Sequence, residues 1–128
     1  MSFTANVDLS GKLTIPGRNF GGIAQIEGIL ADNDRASYGG SNDAHSAGIM
    51  RYVSIRHGGT QLAAANEING LTLGGVGSGT TLDHIEVVSN LDDGIEFFGG
   101  TASITNAVVA FAGDDSFDWD QGYRGANN

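Results

Sequence analysis

The sequence predicts an all-β fold, a β-solenoid of short parallel strands, on three observations. A motif recurs at a constant offset of 22 residues, apolar residues alternate with period 2 inside each copy, and 21 of the 128 residues are Gly. Self-similarity at a period of 20–50 residues is the mark of a repeat architecture. Alternation over short runs marks half-buried strands, and the Gly, Asn, Asp and Ser between the runs are turn formers. An up-and-down sandwich explains the alternation but not a residue-by-residue match at a fixed offset.

The best-matched copies are TLDHIEVVSNLDDGIEFFGG (81–100) and SITNAVVAFAGDDSFDWDQG (103–122). Leu82 falls over Ile104, Val87 over Val109, Asp92 and Asp93 over Asp114 and Asp115, and Phe97 over Trp119. An earlier copy runs through IMRYVSIRHGG (49–59) and, after an insertion, INGLTLGGVG (68–77). There Val53 and Ile55 match Ile85 and Val87, and Leu71 and Leu73 match Ile95 and Phe97. Stacking about 4.8 Å apart gives four inward columns: Val53/Ile85/Ala107, Ile55/Val87/Val109, Leu71/Ile95/Phe117 and Leu73/Phe97/Trp119. Further forward, GGIAQIEGI (21–29) reads as one more coil strand. Residues 30–48 lack apolar periodicity and read as a long loop leaving the coil. At roughly 22 residues per turn the chain holds about five coils, a rod of about 25 Å.

Composition narrows the function. One domain, residues 1–128, is expected at this length. Six Lys and Arg against fifteen Asp and Glu, a net charge of −9, leave no basic patch for nucleic acid. No Cys is present, which removes disulfides, zinc-thiolate sites and Cys nucleophiles. No apolar run approaches the roughly 18 residues of a membrane span, and the first residues do not read as a signal peptide.

The chemistry-bearing stretch is AGDDSFDWDQGYRG (112–125), with Asp114, Asp115, Asp118 and Asp120. In the stacked register Asp92 lies beneath Asp114 and Asp93 beneath Asp115. Charges about 4.8 Å apart repel by roughly 1 kcal/mol in water and about 3–4 kcal/mol at an effective dielectric near 20. Three offsets are open: a solvated or backbone-capped turn, a bound Ca²⁺, or a catalytic pair. Hard oxygen donors in turns suit Ca²⁺, although the spacing is neither an EF-hand loop nor a nonapeptide glycine-aspartate repeat. The Ca²⁺ candidates are Asp92, Asp93, Asp114, Asp115, Asp118 and Asp120. Phe117 and Trp119 are expected to face inward, leaving Asp118 and Asp120 outward, with Asp118 over Glu96. Arg124 and the Gln121 amide are near enough in sequence to neutralise part of the cluster.

Other features read as ordinary. GGVGSGTT (74–81) leads into a strand rather than a helix, so it is a turn and not a phosphate loop. His45, His57 and His84 lack metal-ligand spacing. Phe98 is expected to project outward, and Tyr38 and Tyr123 to sit in loops. Aromatics beside carboxylates and amides suit sugar stacking, so a glycan-binding face is a further expectation.

At SAGIMRYVSIRHGG (46–59), NEINGLTLGGVGSGTTLDHIEVVSNLDDGIEFFGGT (66–101) and GDDSFDWDQGYRG (113–125), the chain resembles a largely uncharacterised family. Its members are right-handed parallel β-helix proteins of bacterial secreted and cell-surface type. The resemblance implies that fold and an extracellular or cell-surface bacterial origin, and no particular reaction. Members of that family continue with further coils, so the chain looks like a piece of a longer solenoid. Self-association through exposed solenoid ends is therefore expected. NLDDG and GDDSF are also similar to the acid and base motifs of polygalacturonase-type β-helix hydrolases. That second resemblance would make Asp93, Asp114 and Asp115 catalytic in an inverting hydrolase acting on carbohydrate. The G-H-G and R-I-K coils of that family are missing, and RHGG (56–59) precedes the acidic motifs instead of following them. The expectation is therefore a non-enzymatic structural or binding module, with the hydrolase as the alternative.

Overall fold

The computed structural model describes residues 24–26, 37–63 and 66–127. Eleven strands and no helix occur among them, so no helix is long and apolar enough to cross a membrane. Two parallel sheets carry the architecture. The first joins β3 (Ile49–Arg56), β7 (Thr81–Val88) and β10 (Val108–Ala110), with β9 (Ile104–Thr105) also paired to β7. The second joins β6 (Leu71–Gly74), β8 (Ile95–Phe98) and β11 (Phe117–Asp120). In sequence the chain alternates between the sheets, and each strand pairs in parallel with its counterpart one repeat away.

The registers are those the repeat predicts. Val53 pairs with Ile85 and Ile55 with Val87; Leu71 pairs with Ile95 and Leu73 with Phe97. In the next repeat Val87 pairs with Val109 and Phe97 with Trp119. One core fills the space between the sheets, built from Ile55, Leu71, Leu73, Leu82, Ile85, Val87, Ile95, Phe97 and Ile104, with Ala107, Val109 and Phe117 packed on it. Each fully buried Leu, Ile, Val or Phe contributes about 1.5–3 kcal/mol of transfer free energy, so the alternation is held by the largest favourable energy the chain has.

Regular alternation fails once in each long strand, for a backbone reason. In β7 Leu82 and Ile85 are both buried, three positions apart, with His84 exposed between them at φ 52°. Tyr52 and Asn106 occupy the same place in the neighbouring repeats, at φ 53° and 54°. A second left-handed column is His57, Ser89 and Phe111, and a third is Gly75, Gly99 and Gln121. A single left-handed residue turns the chain without breaking the ladder on either side. These columns mark the bends of each repeat.

The insertion in the earliest copy is a β-hairpin, β4 (Gln61–Ala63) paired antiparallel with β5 (Asn66–Glu67). The front of the chain departs from expectation. Within 21–29, the described strand β1 (Ala24–Gln25) does not join a parallel sheet. It pairs antiparallel with β2 (Ser37–Tyr38), inside the stretch read as a loop. Residues 1–23 and 27–36, where the first two of five coils would fall, lie outside the described residues.

That front segment covers the outer face of the second sheet. Tyr38, Ile26 and Phe98 form a separate apolar cluster. Phe98, expected outward, is 3% exposed, and Tyr38 is buried with it. Two of the three rings of the expected glycan face are thus packed together at a centroid distance of 6.0 Å. Farther along, residues 42–48 close against the turn that follows β6. A Cβ at Gly77 would lie 2.5 Å from the His45 carbonyl oxygen, which is why this turn is glycine-rich. The Asp43 carbonyl accepts from Ser78 N at 2.8 Å and Thr101 Oγ1 at 2.6 Å.

The last described repeat is open. Trp119, expected in the core, is 60% exposed although it is in register over Phe97. Its column is right, but nothing among the described residues stacks over it. Ile104, Ala107, Phe117, Trp119 and Asn127 line a cavity of about 290 Å³ at this end.

Candidate functional site

The site sits in the turn leading into the second sheet, where three repeats present INGLTL, DDGIEF and DDSFDW. Since Leu71 pairs with Ile95 and Phe117 with Ile95, the rungs are Asn69/Asp93/Asp115 and Thr72/Glu96/Asp118. Backbone bonds tie the turns together: Gly70 N to Asp93 O and Gly94 N to Asp115 O, both 2.9 Å. Gly94 is required by closeness, because a Cβ there would meet Val109 Cγ1 at 2.3 Å and Ser116 O at 2.7 Å.

Asp93 is the pivot. It is 8% exposed, and its Oδ1 accepts the Asp115 N–H at 2.9 Å, one repeat away. Asn90 braces the same turn, with Nδ2 donating to Asp93 O at 2.7 Å and to Ile68 O at 3.2 Å. Burial pushes the Asp93 carboxyl up to about 6. The Asp115 N–H works against that rise, while the charges of Asp92, Asp118 and Asp114 add to it.

Two carboxylate triads share Asp93. Oxygens of Asp92, Asp93 and Asp114 lie within 4.8 Å of one another, as do oxygens of Asp93, Glu96 and Asp118. Glu96, expected on an outward face, is 3% exposed, because the second sheet is covered on both sides. Its Oε2 accepts from Asn69 Nδ2 in a very short contact. The Asn69 and Asn90 side-chain oxygens are buried without a hydrogen-bond donor.

Of the six predicted ligands, Asp92, Asp93, Asp114 and Asp118 come together. Asp115 and Asp120 belong to neither triad. Asp115 contributes its backbone N–H, and Asp120 accepts from Gln121 Nε2 at 2.6 Å. Asp118 and Asp120 therefore do not act as a pair. Arg124 turns away from the cluster and binds Asp43 at 2.5 Å. Asn69 and Glu96 are the members that carboxylate counting in the last turn overlooks. Their signal was the alignment of INGLTL under DDGIEF.

The predicted catalytic trio does not form an inverting pair. Asp93 is buried and bonded to a backbone N–H, and its oxygens approach those of Asp114 within 4.8 Å. An inverting hydrolase holds its carboxyls about 6.5–9.5 Å apart to admit water. On the first sheet, a separate polar ladder faces solvent. Asp83 accepts from Asn106 Nδ2 at 2.9 Å and Thr105 Oγ1 at 3.0 Å. These bonds, led by Asn106, hold its carboxyl below the usual range. His84, 2.8 Å from Asp83, stacks on Tyr52 at 4.7 Å, so it is part of this ladder.

A family model described as a pectate-lyase-like β-helix domain matches residues 7–128. The chain belongs to this β-helix family. No curated protein and no solved structure matches it. Membership in the β-helix family accounts for the parallel sheets and the stacked turns, and it leaves the chemistry of the acidic turn to be argued from its own geometry.

Proposed function

We propose that this β-helix domain is a non-enzymatic structural module of an extracellular bacterial protein, wound as a right-handed solenoid of about five coils. The carrying observation is the bond from Asp115 N to Asp93 Oδ1. It makes the best-placed carboxylate of the acidic turn an internal fastener between repeats. A buried acceptor of this kind is costly to remove and unsuited to proton transfer with a bound polymer. The open last repeat supports a further part of the reading, self-association with a second copy. The edges of β10 and β11 and the exposed Trp119 ring are what a second copy would cover.

The test is incubation with polygalacturonate and neutral polysaccharides, read as reducing ends and as unsaturated product. The domain is expected to release neither. Product formation that Asp93→Asn or Asp114→Asn abolishes, with the fold intact by circular dichroism, would establish the hydrolase reading instead.

A further inference from the structure

Carboxylates gathered in a turn are commonplace, and Asp92 and Asp114 at the rim are explained by water. The inner triad differs, because it is joined by a neutral oxygen donor that has no partner. Asn69 is 4% exposed, its Nδ2 touches Glu96, and its Oδ1 on the same planar amide accepts nothing. Turning that amide over would point Oδ1 at the Glu96 carboxylate, an arrangement that is favourable only with a cation between the two oxygens.

We propose that Asp93, Glu96, Asp118 and the Asn69 side-chain oxygen form a binding site for a hard divalent cation, Ca²⁺ rather than Mg²⁺. Three features of the geometry assign it. Asp93 and Asp118 each spend one oxygen on a backbone N–H, from Asp115 at 2.9 Å and Trp119 at 2.7 Å. Those bonds fix both carboxylates and leave the second oxygen of each for a metal. Glu96 is held between Thr72 and Asp118 by strand register, so the ligands come from three successive repeats and a cation would clamp them together. The carboxylate oxygens lie within 4.8 Å of one another. Ca²⁺ bonds of about 2.3–2.6 Å span that separation, whereas Mg²⁺ demands a tighter octahedron at about 2.0–2.1 Å. Waters and the rim carboxylate of Asp92 would complete the six to eight oxygens that Ca²⁺ takes.

The experiment is thermal unfolding of chelator-treated protein at constant ionic strength, alone and with about 5 mM Ca²⁺ or Mg²⁺. A ligand that binds only the folded state raises the midpoint, here by about 5 °C for Ca²⁺ at roughly ten times its dissociation constant. Glu96→Gln and Asp118→Asn keep the size of the side chains and are expected to abolish the rise. Asp120→Asn, outside both triads, is expected to retain it. Calorimetric titration should give one Ca²⁺ per chain. No rise in the unmodified protein would overturn the proposal. So would an equal rise with Mg²⁺, or a rise retained by both triad variants, since each would reduce the effect to screening of an acidic surface. The polysaccharide assay is independent of this result, so the scaffold reading and the cation site stand or fall separately.

Discussion

Replacing Asp93 by Asn in chelated protein should stabilise the domain, and by an amount that depends on pH. Asn keeps the oxygen that accepts the Asp115 N–H and removes a charge from beside Asp92, Asp118 and Asp114. Asp93 titrates near 6 in the folded chain against an ordinary 3.8. The folded state therefore holds this proton more tightly than the unfolded state. Stability is greatest below about pH 4 for this group and is lost as pH rises through 6. The displacement corresponds to at most about 3 kcal/mol, and water reaching the rim of the cluster lowers the realistic figure to about 1–2 kcal/mol. At pH 7.5 Asp93→Asn should recover that amount, a midpoint rise of about 3–8 °C for a domain of this size. Urea unfolding at intervals from pH 4 to 7.5 measures it. Unmodified protein should lose stability across pH 4–6.5, and the variant should show a flatter profile. A variant less stable than the parent at pH 7.5, or one with the parent's slope, would refute the account of Asp93 as a repelled, buried carboxylate.

Other outcomes follow from the packing. Ile95→Ala and Phe97→Ala each empty a fully buried position between the sheets and should cost about 2–5 kcal/mol by chemical denaturation. Tyr38→Ala should expose Phe98 and free the front segment, read as faster proteolysis near residues 37–48 with the parallel sheets intact. Phe111→Gly should stabilise by about 0.5–1 kcal/mol, because an exposed ring there holds its backbone at φ 59°. Arg124→Ala breaks only an exposed pair with Asp43 and should cost less than about 1 kcal/mol. Light scattering should show mass rising with concentration, and Trp119→Asp should reduce it. Monomers throughout would count against association at the open end.

Much of the fold is legible because a parallel stack repeats its sequence constraints at each level. Leu73, Phe97 and Trp119 occupy one column, so their spacing alone sets the register. Asp92 under Asp114 and Asp93 under Asp115 follow from the same offset. The bends are less legible. Tyr52, His84 and Asn106 share a left-handed backbone, yet only Asn is a residue type that favours it. The burial of Glu96 and Phe98 was hidden because alternation assigns faces relative to the core. It cannot reveal that Ile26 and Tyr38, some 60–70 positions earlier in the sequence, close over the second face. Trp119 shows the converse, a residue in the right column whose burial depends on what stacks above it.

The central claim is that the acidic turn is an internal fastening between repeats, with Asp93 bonded to the Asp115 amide. Amide hydrogen exchange at Asp115 tests it most directly. The account predicts protection of that N–H in an otherwise exposed turn, lost by at least about tenfold in Asp93→Ala while Ile95 stays protected. Exchange of Asp115 as fast as that of its neighbour Asp114 in the unmodified protein would contradict it.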